Sequence, residues 1–135
     1  MTAPAARPLP RFPEPDSEPF WQATREHRLL YQARPATGEP VFYPRRFTVD
    51  ELQWRESAGS GTIYSFTVIR QHGQPYFRAR VPYVVGFIDL DEGFRMLAEI
   101  AADPATVRIG QRVTVDWEDH EDVSVPIFRV VAGEG

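Results

Sequence analysis

The sequence predicts a mainly β fold: a small closed barrel preceded by a short helix and an extended excursion. Three observations lead there. Alternating runs of β-branched and aromatic residues fill the chain beyond position 58, turns bearing glycine and aspartate separate them, and helical spacing is confined to the N-terminal part. With 135 residues, 42% hydrophobic and 25% charged, the chain has the make-up of a globular domain.

Residues 1–15 hold five prolines and no apolar run, which predicts an extended, disordered tail and no secretory signal. The first ordered element is expected at Asp16 or Ser17, whose side chains can accept a bond from an orphan amide, with Glu18 favourable against the helix dipole. Phe20, Trp21, Thr24 and His27 then recur at helical spacing up to about Arg28. Phe20 and Trp21 either dock this helix on the body or anchor it on another subunit. From 29 to 57 the signals are irregular, with Pro35, Gly38, Pro40 and Pro44 punctuating short apolar pieces, and an extended excursion containing a hairpin is expected.

The remainder reads as five strands, over 62–70, 82–90, 94–101, 112–118 and 125–131. In the first, Tyr64, Phe66 and Val68 alternate with Ile63, Ser65, Thr67 and Ile69. The second is apolar on both faces around Val84 and Ile88, and its Gly86 suits a bend or bulge. Asp91, Glu92 and Gly93 make a hairpin turn into a run with Phe94, Met96, Ala98 and Ile100 on one side. The fourth keeps Val113, Val115 and Trp117 in register. Strands of this number and length fit a five-stranded OB-type Greek-key barrel over 58–132, with a generic antiparallel sandwich as the alternative of equal periodicity. Residues 16–57 form the helix and excursion.

Several function classes fall away on composition. Cysteine is absent, which removes disulfides, thiolate zinc sites, iron–sulfur clusters and cysteine nucleophiles. His27, His72 and His120 lack metal-ligand spacing, and no apolar run reaches the ~20 residues of a membrane-spanning helix. A cytoplasmic location is the expectation. Net charge is -4, the wrong sign for binding nucleic acid mainly through its phosphates. All 15 basic residues are arginine, and 11 of them fall within the first 80 positions.

The order and spacing of several short motifs carry a resemblance. Phe20-Trp21 opens the helix, Leu29-Leu30-Tyr31 follows it, and Pro44-Arg45, Gly61-Thr62-Ile63-Tyr64-Ser65, Val81-Pro82-Tyr83-Val84-Val85 and Leu90-Asp91-Glu92-Gly93 come after. The segment from Val107 to Val113 and Pro126-Ile127-Phe128-Arg129 complete the set. From about Ser17 to Val131 the sequence thereby resembles the acyl-CoA-associated OB-fold proteins, domain of unknown function thirty-five. The resemblance implies a helix, a rubredoxin-like zinc ribbon and a C-terminal OB barrel. It also implies a non-catalytic subunit working beside thiolases, aldolases of the thiolase superfamily or enoyl-CoA hydratases in lipid, steroid or aromatic acid metabolism. The ribbon is degenerate in this chain. Its first cysteine pair would fall at Arg34 and Thr37, and the second knuckle is deleted between Arg46 and Glu51, so zinc is not expected. A metal-free ribbon must then lean on the barrel, on backbone hydrogen bonding or on a partner.

The candidate contact residues for a partner or for acyl-CoA are Phe20, Trp21, Tyr43, Arg45, Arg46, Phe47, Arg78 and Arg80, arginines interleaved with aromatics that could meet phosphates or carboxylates. Such a face would also suit single-stranded nucleic acid, the alternative reading. His120, set among Asp119, Glu121 and Asp122, and His72 could act as bases but read as loop residues. No nucleophile motif, phosphate loop or zinc-protease helix appears. The expected function is a zinc-free accessory subunit that stabilises a thiolase-like or enoyl-CoA hydratase-like enzyme, with any coenzyme A thioester bound through that partner, and with no membrane and no nucleic acid.

Overall fold

A computed structural model describes residues 6–9, 17–42 and 52–131. In chain order the elements are α1 (Glu18–Thr24), β1 (Leu29–Ala33), β2 (Pro40–Val41), β3 (Gln53–Ser57), β4 (Ser60–Ile69), α2 (Pro75–Arg78), β5 (Tyr83–Leu90), β6 (Arg95–Ala101), β7 (Arg112–Asp119) and β8 (Ser124–Val130). Strands β4 to β8 close a barrel in the order β4-β5-β6-β8-β7. The β6–β8 pair is parallel and the other four are antiparallel. This is the five-stranded OB arrangement, and each predicted strand lies within two residues of its observed ends.

The helix is shorter than its spacing suggests. Ser17 precedes it but makes no side-chain cap, and Asp16 lies outside the described residues. The helix ends at Thr24 because His27 turns into the left-handed region, at φ 57°; the Arg28 amide then reaches the Ala23 carbonyl and the His27 amide that of Thr24. These two bonds are the Schellman pattern of a helix end, with His27 where glycine is usual. The helix α2 has no counterpart in the sequence reading. Its four residues start at Pro75, which is suited to a first turn.

Excursion residues form a three-stranded sheet, β2-β1-β3, with β1 central, rather than a lone hairpin. Pairing is antiparallel on both sides, with Leu29 opposite Ser57 and Ala33 opposite both Pro40 and Gln53. This sheet shares one core with the barrel. Leu29, Tyr31 and Ala33 of β1 and Phe20 of α1 join Ile63, Val84, Ile88, Phe94, Met96, Ile100, Val113 and Phe128 in a single buried cluster. Phe94, at the start of β6, carries the junction: its ring stacks on Tyr31 at 4.7 Å and on Phe42 at 5.1 Å. Two polar ties add direction. Glu92 accepts from the Ser57 hydroxyl at 2.6 Å and the Ala58 amide at 2.8 Å, and the buried Thr24 hydroxyl accepts from the Ser124 amide at 3.1 Å.

Strand β4 departs from simple alternation. A register shift between Ile63 and Ser65 opposite β5 turns Tyr64 outward, 51% exposed, while Ile63 is buried and Phe66 and Val68 pack on the core. Tyr64 and Phe66 therefore do not share a face, because a bulge adds one residue and bends the strand around the barrel. Gly86 sits across from Phe66. A Cβ there would strike the Ser65 carbonyl oxygen and lie 2.8 Å from Ile100 Cδ1, so the close approach demands glycine.

Candidate functional site

Two adjoining features stand out, a groove and a charged socket. The groove runs between α1 and the outer side of β6 and β8 and encloses about 310 Å³. Trp21, Phe42, Leu97, Val125 and Pro126 make it apolar, and Arg7 and Glu99 stand at its polar end. Helix geometry explains the wall. Phe20 points into the core at 6% exposure while Trp21, one residue on, meets it edge-to-face at 5.0 Å and stays half-buried along the groove. The pair thus docks α1 on the body, and Trp21 keeps a surface for something else.

Outer-face residues extend this apolar area. Leu97 of β6, 57% exposed, pairs directly across from Phe87 of β5, 37% exposed. Tyr64, expelled by the bulge, lies beyond them with the Arg95 guanidinium over its ring at 3.5 Å.

The socket gathers residues distant in sequence. Arg7 donates from Nε to Glu118 Oε1 at 2.5 Å and from Nη2 to Glu118 Oε2 at 3.1 Å, with a further bond to Glu99 at 3.3 Å. Its guanidinium lies 4.7 Å from the Tyr76 ring centre and 5.5 Å from that of Phe77. Arg80 donates to the same Glu99 at 2.6 and 3.2 Å and to the Tyr76 hydroxyl at 2.8 Å, while His120 Nε2 sits 2.7 Å from Glu118. Burial opposes charge on both partners. It pulls the Arg7 guanidinium down and pushes the Glu118 carboxyl up, but the bonds between them outweigh it, leaving Arg7 raised and Glu118 lowered from their ordinary values.

The predicted contact residues fare differently. Phe20 and Trp21 meet at the groove. Arg80 lies in the socket with its guanidinium engaged by Glu99, and Arg78 is exposed on α2, bonded to the Gly73 carbonyl at 2.7 Å. Tyr43, Arg45, Arg46 and Phe47 lie outside the described residues. His72 lies in an exposed loop with its ring tilted against Phe77 at 4.8 Å. Arg7, Glu99 and Glu118 were not anticipated: Arg7 sits in the stretch expected to be a disordered tail, yet its side chain is only 7% exposed. Contacts spanning 92 and 111 residues leave no periodic trace in the sequence.

A scaffold protein with a DUF35 domain from Methanothermobacter thermautotrophicus is 31% identical over 102 residues, covering 70% of this chain and 68% of that protein. This chain belongs to the DUF35 family. The family model for the C-terminal OB-fold domain of ChsH2 matches residues 54–118 of this DUF35 protein. It is also 36% identical over 116 residues to the 3-oxo-4,17-pregnadiene-20-carboxyl-CoA hydratase alpha subunit of Mycobacterium tuberculosis, with 82% of this chain and 36% of that one aligned. A probable enoyl-CoA hydratase alpha subunit of Thermomonospora curvata is 31% identical, with 93% and 40% aligned. The chain spans about two fifths of the length of these two hydratase subunits. Among solved structures, a chain of the Ltp2-ChsH2(DUF35) aldolase superposes with a TM-score of 0.78 at 26% identity, over 90% of this chain and 98% of that one.

The zinc that the DUF35 resemblance implies does not fit the residues present. Arg34 and Thr37 stand where the resemblance would put the first cysteine pair, the sequence has no thiolate, and no group of three His, Asp or Glu among the described residues is placed to hold a metal ion. The turn itself persists by other means. The Gly38 amide bonds to the Arg34 carbonyl at 2.7 Å and the Arg34 amide to the Glu39 carbonyl at 2.9 Å, with Gly38 at φ 75°.

Proposed function

We propose that this DUF35 protein is a metal-free, non-catalytic accessory subunit that binds and stabilises an acyl-CoA enzyme of hydratase, aldolase or thiolase-like type, in steroid, lipid or aromatic acid metabolism in the cytoplasm. The observation that carries the reading is the match over nearly the whole chain to a subunit of the Ltp2-ChsH2(DUF35) aldolase, joined to the likeness to hydratase alpha subunits. The apolar face from Trp21 across Leu97 to Phe87 supports it, since an exposed patch of this kind marks a protein contact. Coenzyme A thioester would reach the complex through the partner's site.

Direct binding of polyphosphate ligands or nucleic acid is disfavoured by how the arginines are used. Among the described residues Arg7, Arg28, Arg34, Arg80, Arg95, Arg112 and Arg129 face carboxylates within 4 Å, which lowers the positive field that these seven offer to phosphates. The test is co-expression with hydratase- and aldolase-type enzymes encoded near its gene. Co-elution on size exclusion and a gain in the enzyme's soluble yield or turnover are expected with one of them, and lost with L97D in the groove wall. No change in elution, solubility or turnover with any such neighbour refutes the proposal.

A further inference from the structure

The socket that holds Arg7 has the chemistry of a receptor for one side chain. Glu118 offers both oxygens to a planar fork, Glu99 offers a third, and the Tyr76 and Phe77 rings supply faces beside the cation. A bidentate carboxylate and an aromatic face together select a guanidinium over an ammonium, which can neither fork nor lie flat on a ring. Glu99 is 11% exposed and Glu118 28%, so these acids are largely withdrawn from water and require a cation.

Of the four described residues of this segment, 6–9, the flanking Ala6, Pro8 and Leu9 are exposed, and the Arg7 side chain alone is sunk into the barrel. Its removal leaves the two carboxylates of Glu99 and Glu118 with the guanidinium of Arg80 as the one remaining arginine among the described residues of the socket. The vacated socket would therefore draw in another cation of the same shape.

We propose that this socket is an arginine-binding site, filled in cis by the chain's own Arg7 and open to an arginine side chain of a partner polypeptide when the N-terminal segment is displaced. Because Arg7 and Glu99 also form the polar end of the groove, an incoming segment that places arginine in the socket can lay apolar neighbours along Trp21 and Leu97. The site does not depend on which enzyme, if any, the protein accompanies.

The test uses the full chain and N-acetyl-arginine methylamide as probe, with the lysine analogue at equal ionic strength as control, read by the ring resonances of Tyr76 and Phe77. R7A should bind the arginine probe saturably, with a dissociation constant of about 1–10 mM, as suits a single side chain. The parent should bind it at least tenfold more weakly, R7A should ignore the lysine analogue, and adding E118Q to R7A should abolish binding. Equal binding by parent and R7A, equal response to both probes, or no binding by folded R7A overturns the proposal. If R7A does not fold, R7K keeps a weaker cation in place and should bind the arginine probe better than the parent does; no gain there is equally fatal.

Discussion

Truncating Phe94 to alanine tests what secures the three-stranded sheet of the excursion to the barrel. The ring is 4% exposed and lies between barrel and ribbon, stacked on Tyr31 at 4.7 Å with 21° between planes and on Phe42 at 5.1 Å with 9°. Removing a buried phenyl ring costs about 3–5 kcal/mol in lost transfer energy and residual cavity. Both ring partners belong to the excursion side, so the cavity opens at the junction, and collapse would require the three-stranded sheet to shift as a body. That argues for about 4 kcal/mol, a large share of the roughly 5–15 kcal/mol that holds an ordinary domain together. Urea unfolding followed by far-ultraviolet circular dichroism gives the number. Hydrogen exchange gives its location: amides of β1 and β3 should lose protection more than those of β4 and β5. F94L, which keeps most of the volume but no ring, should lose roughly 1–2 kcal/mol. A loss below about 1.5 kcal/mol for F94A, or uniform loss of protection across the barrel, would refute the idea that this stack holds the ribbon.

Three further substitutions probe other parts of the fold. G86A should lose about 3 kcal/mol by chemical denaturation, since its Cβ meets the Ser65 carbonyl and Ile100, whereas G73A, where nothing lies within 4 Å, should stay within about 0.5 kcal/mol of the parent; equal effects would contradict the bulge geometry. T24V keeps the volume but strips the acceptor from the buried Ser124 amide and should cost about 1–3 kcal/mol; a neutral result would mean that this tie between α1 and β8 contributes nothing. For Glu118, whose carboxyl is held below its ordinary value of 4.5, the stabilisation is present above that value and disappears as pH falls through the lowered one. E118Q should therefore be less stable than the parent at neutral pH, and its urea midpoint should fall less steeply below about pH 5; parallel curves would deny Glu118 that role.

The barrel was legible in the sequence because its chemistry is periodic. Phe94, Met96, Ala98 and Ile100 are all buried, as strict alternation requires, and Val113 anchors the predicted register of β7. Alternation failed where an extra residue enters. The bulge at Tyr64 leaves no mark of its own in a run of β-formers, although Gly86, opposite Phe66 two residues further along β4, was a signal of a bend or bulge nearby. The helix end was misplaced for a related reason, since a histidine supplies the left-handed residue that a glycine would have announced. The site was far less legible. Trp21 was visible as an aromatic on a short amphipathic helix, but Arg7 looks like any other arginine in a proline-rich stretch, and only closure of the barrel brings Glu99 and Glu118 to the place where it binds.

How the excursion at 29–57 keeps its course without thiolate ligands follows from where its constraint lies. A thiolate site ties two knuckles to each other through the metal and can hold a ribbon with little packing. Here β1 is instead buried at every residue but the half-buried Leu30, from Leu29 at 1% to Ala33 at 0% exposure, and Tyr31 and Phe42 close on Phe94. The turn from Arg34 to Glu39 is closed by its backbone bonds and the positive φ of Gly38. A segment held by its own metal can move relative to the barrel, whereas one that shares the barrel's core, as this sheet does, is tied to it. It follows that α1, the three-stranded sheet and the barrel are held by one core, and that the groove along Trp21 and Leu97 is formed by elements that this core ties together.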